Sequence, residues 1–399
     1  MSLRKESSEQ GTSSQNPFKD SSFAIYVHWP FCAAKCPYCD FNSHVRQNPV
    51  DQKRFSAALA LELDKWSYEV GNRVVTSIFF GGGTPSLMLP ESVESVLKTI
   101  SKNWIMDDHV EITLEANPNS VEVSRFADYH SLGINRLSLG VQAFDDEALQ
   151  ALGRIHDHRE ALIALETTAR IFDNYSFDMI YARPGQRPSM WKKELREALR
   201  YAREHISLYQ LTIEEGTRFF RLWDTGQLQL PDEEDACRLY EITQEECEKQ
   251  GLPAYEVSNH AKPGKESRHN LLYWRYGEYL GIGPGAHGRV ITPEGRIATR
   301  TERNPEKWLQ SIEMHSQALV EQNTLPLAMQ AEEFLMMGLR LKEGISLKRL
   351  KDFSGFTPNP VIMNDLKGMD LLNLSGDRLA ATKQGFLVLN TLIRKLCES

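Results

Sequence analysis

The chain has 399 residues, which exceeds one typical domain and predicts a large domain joined to a smaller one. Its 41% hydrophobic content is ordinary for a soluble globular protein, and no apolar run approaches the roughly 18 residues that span a bilayer. The net charge is −8 without any basic block, which argues against nucleic acid as the main partner, because phosphate contacts need clustered Lys and Arg.

The first 22 residues are rich in Ser, Gln and Lys and show no periodicity, so they are expected to form a disordered lead. A transit peptide is an open alternative, against which Glu6, Glu9 and Asp20 count, and no signal-peptide core is seen. Cys237, Cys247 and Cys397 are far apart in the chain and form no CxxC pair. We therefore expect a reducing, cytoplasmic location.

Six short runs in residues 23–230 are apolar or alternating and predict β-strands, and amphipathic helices separate them. The strands are Phe23–Trp29, Val75–Phe80, Val110–Ala116, Ile134–Val141, Phe177–Ala182 and His205–Thr212, and the helices include Asp51–Val70, Pro90–Lys102, Asp145–Leu152 and Arg159–Phe172. This alternation predicts an α/β fold with a parallel sheet. Six units fall short of the eight of a closed TIM barrel, so we expect a partial (β/α)6 barrel.

The pattern changes after residue 230. Residues 231–325 are expected to form a connecting region, with an acidic helix at Asp232–Gln250 and a segment dense in Gly, His and aromatic residues at Glu256–Gly288. Residues 326–399 predict a smaller α+β C-terminal domain of winged-helix type with a hairpin at Leu371–Ala381. Because this domain carries both charge signs, a packing or protein-contact role is favoured over DNA binding.

Three cysteines follow the first strand with the spacing C-x3-C-x2-C: Cys32, Cys36 and Cys39. A cubane iron–sulfur cluster normally takes four cysteine ligands and structural zinc is four-coordinate, so three thiolates leave one metal position open for a reacting group. An iron–sulfur site is favoured. A zinc site completed by His28 or His44, and plain reduced thiols, remain alternatives.

Polar or glycine-rich segments also follow the other predicted strands, at the carboxyl-terminal edge where active-site residues lie in parallel barrels. The turn Gly81-Gly82-Gly83-Thr84-Pro85 predicts either backbone amides that meet a polar ligand or a tight βα turn. Glu115, Gln142, Arg154 and Asp178 are spread over three successive units. A carboxylate there can hold ribose hydroxyls and an arginine can hold a carboxylate, although each side chain alone is compatible with a structural role.

The segment Gly283-Pro-Gly285-Ala-His-Gly288 matches the spacing GxGxxG. Pro284 lies inside it and a strand-like run, Arg289–Thr292, follows it in place of a helix. The context of a dinucleotide fingerprint is therefore missing, and we reject that interpretation.

Taken together, the cysteine motif, the GGGTP turn, Glu115-x-Asn117-Pro118 and Gly140-Val-Gln142 resemble the radical S-adenosylmethionine (SAM) superfamily. Within it the chain is most similar to the coproporphyrinogen-oxidase-like branch, and in that branch to the heme chaperones. The supporting segments are Phe41–His44, Glu256–Asn259, Ser267–Trp274 and Gly281–Gly288. The similarity covers roughly residues 23–395.

The resemblance implies that Cys32, Cys36 and Cys39 ligate a 4Fe-4S cluster, whose open iron SAM chelates through its amino and carboxylate groups. It places Tyr26 and Tyr38 near the cluster and the adenine, Gly82, Gly83 and Thr84 at the methionyl end, Glu115 at the ribose, and Gln142, Arg154 and Asp178 around the rest of the pocket. Reduction of the cluster, for which a flavodoxin- or ferredoxin-type protein is the expected electron donor, would cleave SAM to a 5′-deoxyadenosyl radical.

The resemblance also implies heme as cargo, delivery to apo-hemoproteins and a peripheral encounter with membranes. The expected heme-binding residues are His269, Asn270, Tyr273 and Trp274. An imidazole can ligate iron and aromatic rings can stack on the macrocycle. His287 is a second candidate ligand. The alternative is that His269 is a buried, hydrogen-bonded residue beside two core aromatic rings.

The rival function is that of an oxygen-independent coproporphyrinogen III dehydrogenase, which decarboxylates a porphyrinogen. Those enzymes carry a further cysteine two residues after the third, where this chain has Phe41, and a longer N-terminal region. Ala182-Arg183-Pro184-Gly185 also departs from the Gly-Leu-Pro of relatives. A non-catalytic zinc module is the third hypothesis. Phe41 and the shorter N-terminal region favour the chaperone, whereas the Arg183 departure favours neither function. Whether the protein is also an enzyme stays open, and no catalytic side chain is singled out.

Overall fold

The computed structural model describes residues 22–46 and 48–398. The strands are β1 (Ser22–Trp29), β2 (Phe31–Cys32), β3 (His44–Val45), β4 (Val74–Gly82), β5 (Ile105–Ala116), β6 (Arg136–Gln142), β7 (Asn174–Tyr181), β8 (His205–Gln210), β9 (Asn259–Ala261), β10 (Glu278–Ile282), β11 (His287–Thr292), β12 (Gly295–Thr301), β13 (Leu319–Thr324), β14 (Ile345–Ser346), β15 (Leu372–Ser375) and β16 (Arg378–Ala381). The disorder predicted for residues 1–22 lies outside the described residues, except that Ser22 opens β1.

Sixteen α-helices occur in the described part of the chain. They are α1 (Gln52–Val70), α2 (Pro90–Asn103), α3 (Ser120–Val123), α4 (Phe126–Ser131), α5 (Asp146–Ala151), α6 (His158–Ile171), α7 (Pro188–Ala198), α8 (Arg218–Asp224), α9 (Glu233–Lys249), α10 (Arg268–Trp274), α11 (Pro305–His315), α12 (Leu327–Gly338), α13 (Leu347–Ser354), α14 (Pro360–Gly368), α15 (Lys383–Leu387) and α16 (Leu389–Cys397). Of the described helices, none is both long and apolar enough to cross a membrane.

One sheet of eleven strands organises the larger part of the molecule, in the order β13-β12-β11-β10-β1-β4-β5-β6-β7-β8-β9. The six predicted strands correspond to β1 and β4 to β8, and neighbouring members of this set run parallel. The predicted α/β architecture with a large parallel sheet is therefore confirmed. Because parallel strands present their carboxyl ends at one edge, the cysteine loop and the glycine turn meet there.

The stretch 231–325 contributes strands to this same sheet. β10 pairs parallel with β1, with Phe23 opposite Glu278, and β11 to β13 extend the edge in antiparallel fashion. Gly281 is required inside β10, because a Cβ at that position would lie 2.0 Å from the carbonyl oxygen of His287. At least this glycine of the Gly-dense segment Glu256–Gly288 is therefore needed for close backbone packing.

The C-terminal part has a separate apolar core. Phe334 and Leu335 of α12 pack with Leu350 of α13, Leu379 of β16 and Leu392 of α16. Three short strands form a sheet in the order β14-β16-β15, and the predicted hairpin is present as β15 and β16. A hydrogen bond from Tyr276 Oη to Glu333 Oε2 (2.8 Å) ties this part to the main sheet.

Candidate functional site

The glycine turn after β4 holds the cysteine loop in place. The N–H of Gly83 donates to the carbonyl of Trp29 (2.7 Å), and the N–H of Thr84 donates to that of Phe31 (2.9 Å). A Cβ on Gly83 would lie 2.8 Å from the Phe31 oxygen, so only glycine allows this approach. The N–H of Gly82 donates to Glu115 Oε2 (3.3 Å). All three amides therefore donate within the protein, and the placement of Gly82, Gly83 and Thr84 at the methionyl end of SAM stays a prediction.

A hydrogen-bonded relay joins two of the cysteine sulfurs. Thr84 Oγ1 donates to Cys32 Sγ (3.4 Å) and accepts from Asn117 Nδ2 (3.3 Å). Arg154 donates through Nη1 to Cys36 Sγ (3.5 Å) and through Nη2 to Asn117 Oδ1 and the carbonyl of Gly140 (2.9 Å). Two cysteines therefore receive donors, one from Thr84 in the turn after β4 and one from Arg154 in the loop after α5.

The sequence offered Arg154 as a side chain that can hold a carboxylate or serve a structural role. In the structure its two terminal nitrogens are used by Cys36, Asn117 and Gly140. The guanidinium therefore fixes the cysteine loop, and the pocket position of Arg154 stays a prediction. Tyr38 lies beside Arg154 and Cys36, and burial raises the pKa of its phenol.

The donor set fits a thiolate-ligated cluster. Three cysteines come from one loop, and N–H and O–H donors to sulfur stabilise the thiolate form of a metal ligand. Burial raises the pKa of the Cys32 and Cys39 thiols. Within residues 22–46 and 48–398, no three His, Cys, Asp or Glu side chains are already gathered as a metal site.

Neither histidine of the zinc alternative is available to the cysteines. His28 is bound on both sides, by Tyr26 Oη at Nδ1 (3.0 Å) and by the Asn42 carbonyl at Nε2 (2.9 Å). His44 uses Nε2 for the side-chain oxygen of Asn42 (3.2 Å), and its ring also hydrogen-bonds the backbone of Arg303. The structure therefore offers no fourth imidazole ligand of the kind that hypothesis required.

Two carboxyl groups face the interior of the partial barrel. Burial, reinforced by the charge of Asp178, raises the pKa of Glu115 to about 8 against the hydrogen bond from Gly82. Burial likewise raises the pKa of Asp178 to about 6, against hydrogen bonding by Ser207. Asp178 Oδ1 is buried and has no hydrogen-bond partner among the described residues. An unpartnered buried oxygen suits a hydroxyl-bearing ligand such as a ribose, because leaving it unpaired is costly.

The end of β6 is strained. Gln142 has a positive φ of 73°, in the left-handed region that residues other than glycine seldom adopt. A Cβ on Gly140 would lie 2.9 Å from Gln142 Nε2, so the amide folds back over that glycine. Backbone strain of this kind is retained where the surroundings hold a side chain in place, and it accords with the expected pocket position of Gln142.

Helix α10, which carries the expected heme-binding residues, packs against β1, β4 and β10. His269 is 1% exposed, and its ring bonds Ser77 Oγ through Nδ1 (2.9 Å) and Tyr273 Oη through Nε2 (2.6 Å). It packs against Phe79 with ring centroids 5.0 Å apart. Both nitrogens being occupied, His269 cannot ligate a heme in this arrangement, and the buried-histidine alternative describes it correctly. Asn270, Tyr273 and Trp274 are half-buried.

Arg183, the departure noted at the end of β7, is buried and paired with Glu194. The pair lies beside a cavity of about 560 Å³ between α5 and α7, to which Phe144 and Phe219 contribute apolar surface. The charge of Arg183 is therefore compensated by Glu194 of α7.

Sequence reasoning gave no role to Asn117, although the side chain joins Thr84 to Arg154. Its position directly after Ala116 at the end of β5 was the available signal. Glu62 was also missed. It is 1% exposed and accepts from the N–H of Gly283 (2.8 Å) and from Trp308 Nε1 (3.4 Å).

The comparisons with known proteins agree on one family. The model of the radical SAM superfamily matches residues 26–205, and that of the HemN C-terminal domain matches residues 325–388. Coproporphyrinogen III oxidase (HemN) from Escherichia coli has a similar fold, with a TM-score of 0.79 and 19% identity over 96% of this chain and 91% of that one.

Three relatives are similar over nearly their whole length. Radical S-adenosyl methionine domain-containing protein 1 (mitochondrial) of Bos taurus is 36% identical, with 99% of this chain and 92% of the relative covered. Heme chaperone HemW of Haemophilus influenzae is 36% identical, with 93% and 96% covered, and HemW of Escherichia coli is 36% identical, with 93% and 97% covered. The chain therefore belongs to the family of radical SAM proteins that contains these bacterial HemW proteins and their mitochondrial counterparts.

Proposed function

We propose that this protein is a heme chaperone that carries a 4Fe-4S cluster and SAM in its partial barrel, binds heme and delivers it to apo-hemoproteins. The observation that carries the proposal is the similarity to HemW proteins over more than nine-tenths of the chain. The cysteine loop and its relay support the cluster, because they supply three thiolates and donors to two of them.

Cys32, Cys36 and Cys39 would hold the cluster, which together with SAM supplies reductive cleavage of SAM when both are bound. The side chains of this chain position that chemistry. Thr84 and Arg154 orient the sulfurs, while Glu115 and Asp178 offer carboxyl groups to the ribose hydroxyls. A raised pKa keeps Glu115 largely protonated at neutral pH, so this carboxyl group can donate as well as accept a hydrogen bond.

The setting proposed for the protein follows from the same chemistry. A flavodoxin- or ferredoxin-type protein is the proposed electron donor, because a cluster of this kind needs an external reductant. All six cysteines are free, which supports a reducing compartment such as the cytoplasm. Contact with membrane-bound apo-hemoproteins would be peripheral.

The dehydrogenase is the second candidate, and its support is the fold shared with HemN. At 19% identity that likeness supports the fold alone. Position 41, where the decarboxylating enzymes carry a cysteine, is a phenylalanine that is 59% exposed. No thiol is therefore available at that point of the loop.

The test is an anaerobic titration of cluster-reconstituted protein with heme, paired with an assay of coproporphyrinogen III turnover in the presence of SAM and a reductant. The proposal expects saturable heme binding with about one heme per chain and no decarboxylated product. Turnover of the porphyrinogen without saturable heme binding would instead establish the dehydrogenase.

A further inference from the structure

Glu122 is a buried carboxyl group of α3 that lies behind the relay to the cysteines, and it is 0% exposed. Its Oε2 accepts from Ser86 Oγ and from the backbone N–H of Asn117 (2.8 Å). Its Oε1 accepts from the side-chain amides of Asn117 (3.4 Å) and Asn119. Both oxygens therefore act as acceptors, as in an ionised carboxylate, and two of the four donors belong to Asn117.

The surroundings of Asn117 allow its side-chain amide only one orientation. The amide nitrogen faces Glu122 and the hydroxyl of Thr84, and the amide oxygen faces Arg154. A guanidinium can only donate and a carboxylate can only accept. Exchanging the nitrogen and oxygen of the amide would therefore set donor against donor and acceptor against acceptor. Both hydrogens of the amide are used, one on Glu122 and one on Thr84.

This orientation fixes the direction in which the Thr84 hydroxyl donates. A hydroxyl group carries one proton, and Thr84 Oγ1 already accepts from Asn117 Nδ2 (3.3 Å). Its own proton is therefore left for Cys32 Sγ, at 3.4 Å. Because Thr84 is buried, its protein neighbours decide where the proton points. The oxygen of the same amide holds Arg154, whose Nη1 donates to Cys36 Sγ (3.5 Å).

We propose that Asn117, oriented by Glu122, is a positioning residue for the ligands of the cluster. Its nitrogen directs the Thr84 hydroxyl onto one cysteine sulfur, and its oxygen holds the Arg154 guanidinium on another. This inference rests on the proposed function, since these sulfurs are the ones that would bind the cluster. Hydrogen bonds to ligand sulfurs make an iron–sulfur cluster easier to reduce, because they stabilise the negative charge that reduction adds. The relay therefore tunes the reduction potential of the cluster.

The experiment measures the midpoint potential of the reconstituted cluster without SAM, by reductive titration followed by electron paramagnetic resonance. Asn117→Asp is the test variant, because a carboxyl group of the same shape keeps an acceptor for Arg154 and offers Thr84 an acceptor in place of a donor. The Thr84 proton then turns from Cys32 to the new carboxyl group, and the midpoint potential should become more negative. Asn373→Asp, at an exposed position of β15, is the matched control and should leave the potential unchanged.

A double-mutant cycle separates the proposed route from a direct effect of the added charge. Thr84→Val removes the hydroxyl and keeps the shape of the side chain, so it should also make the potential more negative. If Asn117 acts through Thr84, Asn117→Asp adds little further shift in the Thr84→Val protein. Glu122→Gln should behave in the same way, because its NH2 group would face a donor that the carboxylate oxygen accepts from.

An unchanged potential in Asn117→Asp would overturn the proposal and leave the cluster assignment in place. A full shift of Asn117→Asp in the Thr84→Val protein would also overturn it, because the added charge would then act directly. If Asn117→Asp binds no cluster, Thr84→Val decides, and a wild-type potential in that variant would show that the hydroxyl does not tune Cys32. Absence of a reducible cluster in wild type would instead overturn the cluster of the proposed function.

Discussion

Glu62 is a buried carboxyl group that should make the stability of this protein depend on pH. Its side chain is 1% exposed and accepts hydrogen bonds from Gly283 and Trp308. Burial raises its pKa from 4.5 to about 8, against the effect of those two donors. Glu62 holds the loop at Gly283, which packs on β1 directly before the cysteine loop, since a Cβ on Gly283 would lie 2.3 Å from the carbonyl oxygen of His28.

The sign of the effect follows from proton linkage. A pKa that is higher in the folded than in the unfolded state means that the folded state binds the proton more tightly. The stability contributed by this site is therefore complete below about pH 4.5, declines as the pH rises, and is lost above about pH 8. One pKa unit corresponds to about 1.4 kcal/mol, so the decline over this interval approaches roughly 5 kcal/mol.

Other carboxyl groups titrate in the same interval, so the prediction concerns the difference between wild type and Glu62→Gln. The amide is neutral at every pH, and the free energy of unfolding, measured with urea at several values between pH 5 and 8.5, should lose this component. We expect wild type to fall relative to the variant by about 1 kcal/mol per pH unit up to pH 8. Glu166→Gln, at an exposed position of α6, is the control. Parallel curves for wild type and Glu62→Gln would refute the reasoning.

Three further changes test the site. Cys36→Ala should lose the cluster, seen as iron and sulfide content after anaerobic reconstitution, because two thiolates from this loop remain. Gly83→Ala should lower both cluster content and melting temperature, since its methyl group would lie 2.8 Å from the carbonyl oxygen of Phe31 and displace the cysteine loop. His269→Ala should lower the free energy of unfolding by about 2–4 kcal/mol, because it opens a cavity and leaves the Tyr273 hydroxyl unpartnered, while the iron ligation of bound heme stays unchanged.

Matched variants control for general damage. Cys237→Ala removes an exposed thiol, and Gly368→Ala adds a methyl group that meets nothing within 4 Å. Both should retain cluster content and melting temperature. Full iron content in Cys36→Ala would contradict the site assignment, and a Gly83→Ala protein indistinguishable from wild type would show that the turn does not clamp the loop.

The fold was predictable where the chain repeats a simple pattern. Six buried strands separated by amphipathic helices specify a parallel sheet, and polar residues at their ends mark one rim. β10 was missed, because Gly281 and Gly283 give the segment the composition of a loop. Gly281 lies against the backbone of His287, and Gly283 lies against the backbone of His28. Both contacts form only when the strands are paired in the sheet, so the sequence alone does not reveal them.

The candidate site was predictable in its residue types and less so in their roles. The spacing of Cys32, Cys36 and Cys39 favours an iron–sulfur site from the sequence alone. The roles of Arg154 and His269 are not predictable in this way, because the role of each depends on a partner more than 30 residues away in the chain. The polar groups of a well-placed side chain can all be hydrogen-bonded to other residues of the protein. Only the folded structure shows whether they are.

The most direct test of the central claim is heme transfer. Heme-loaded, cluster-reconstituted protein is mixed with increasing concentrations of an apo-cytochrome, and the rate of heme appearance in the acceptor is compared with the rate of heme loss to a large excess of a protein scavenger. If the protein is a chaperone, the transfer rate rises with acceptor concentration and exceeds the rate of spontaneous loss. A transfer rate equal to spontaneous loss at every acceptor concentration would contradict the account.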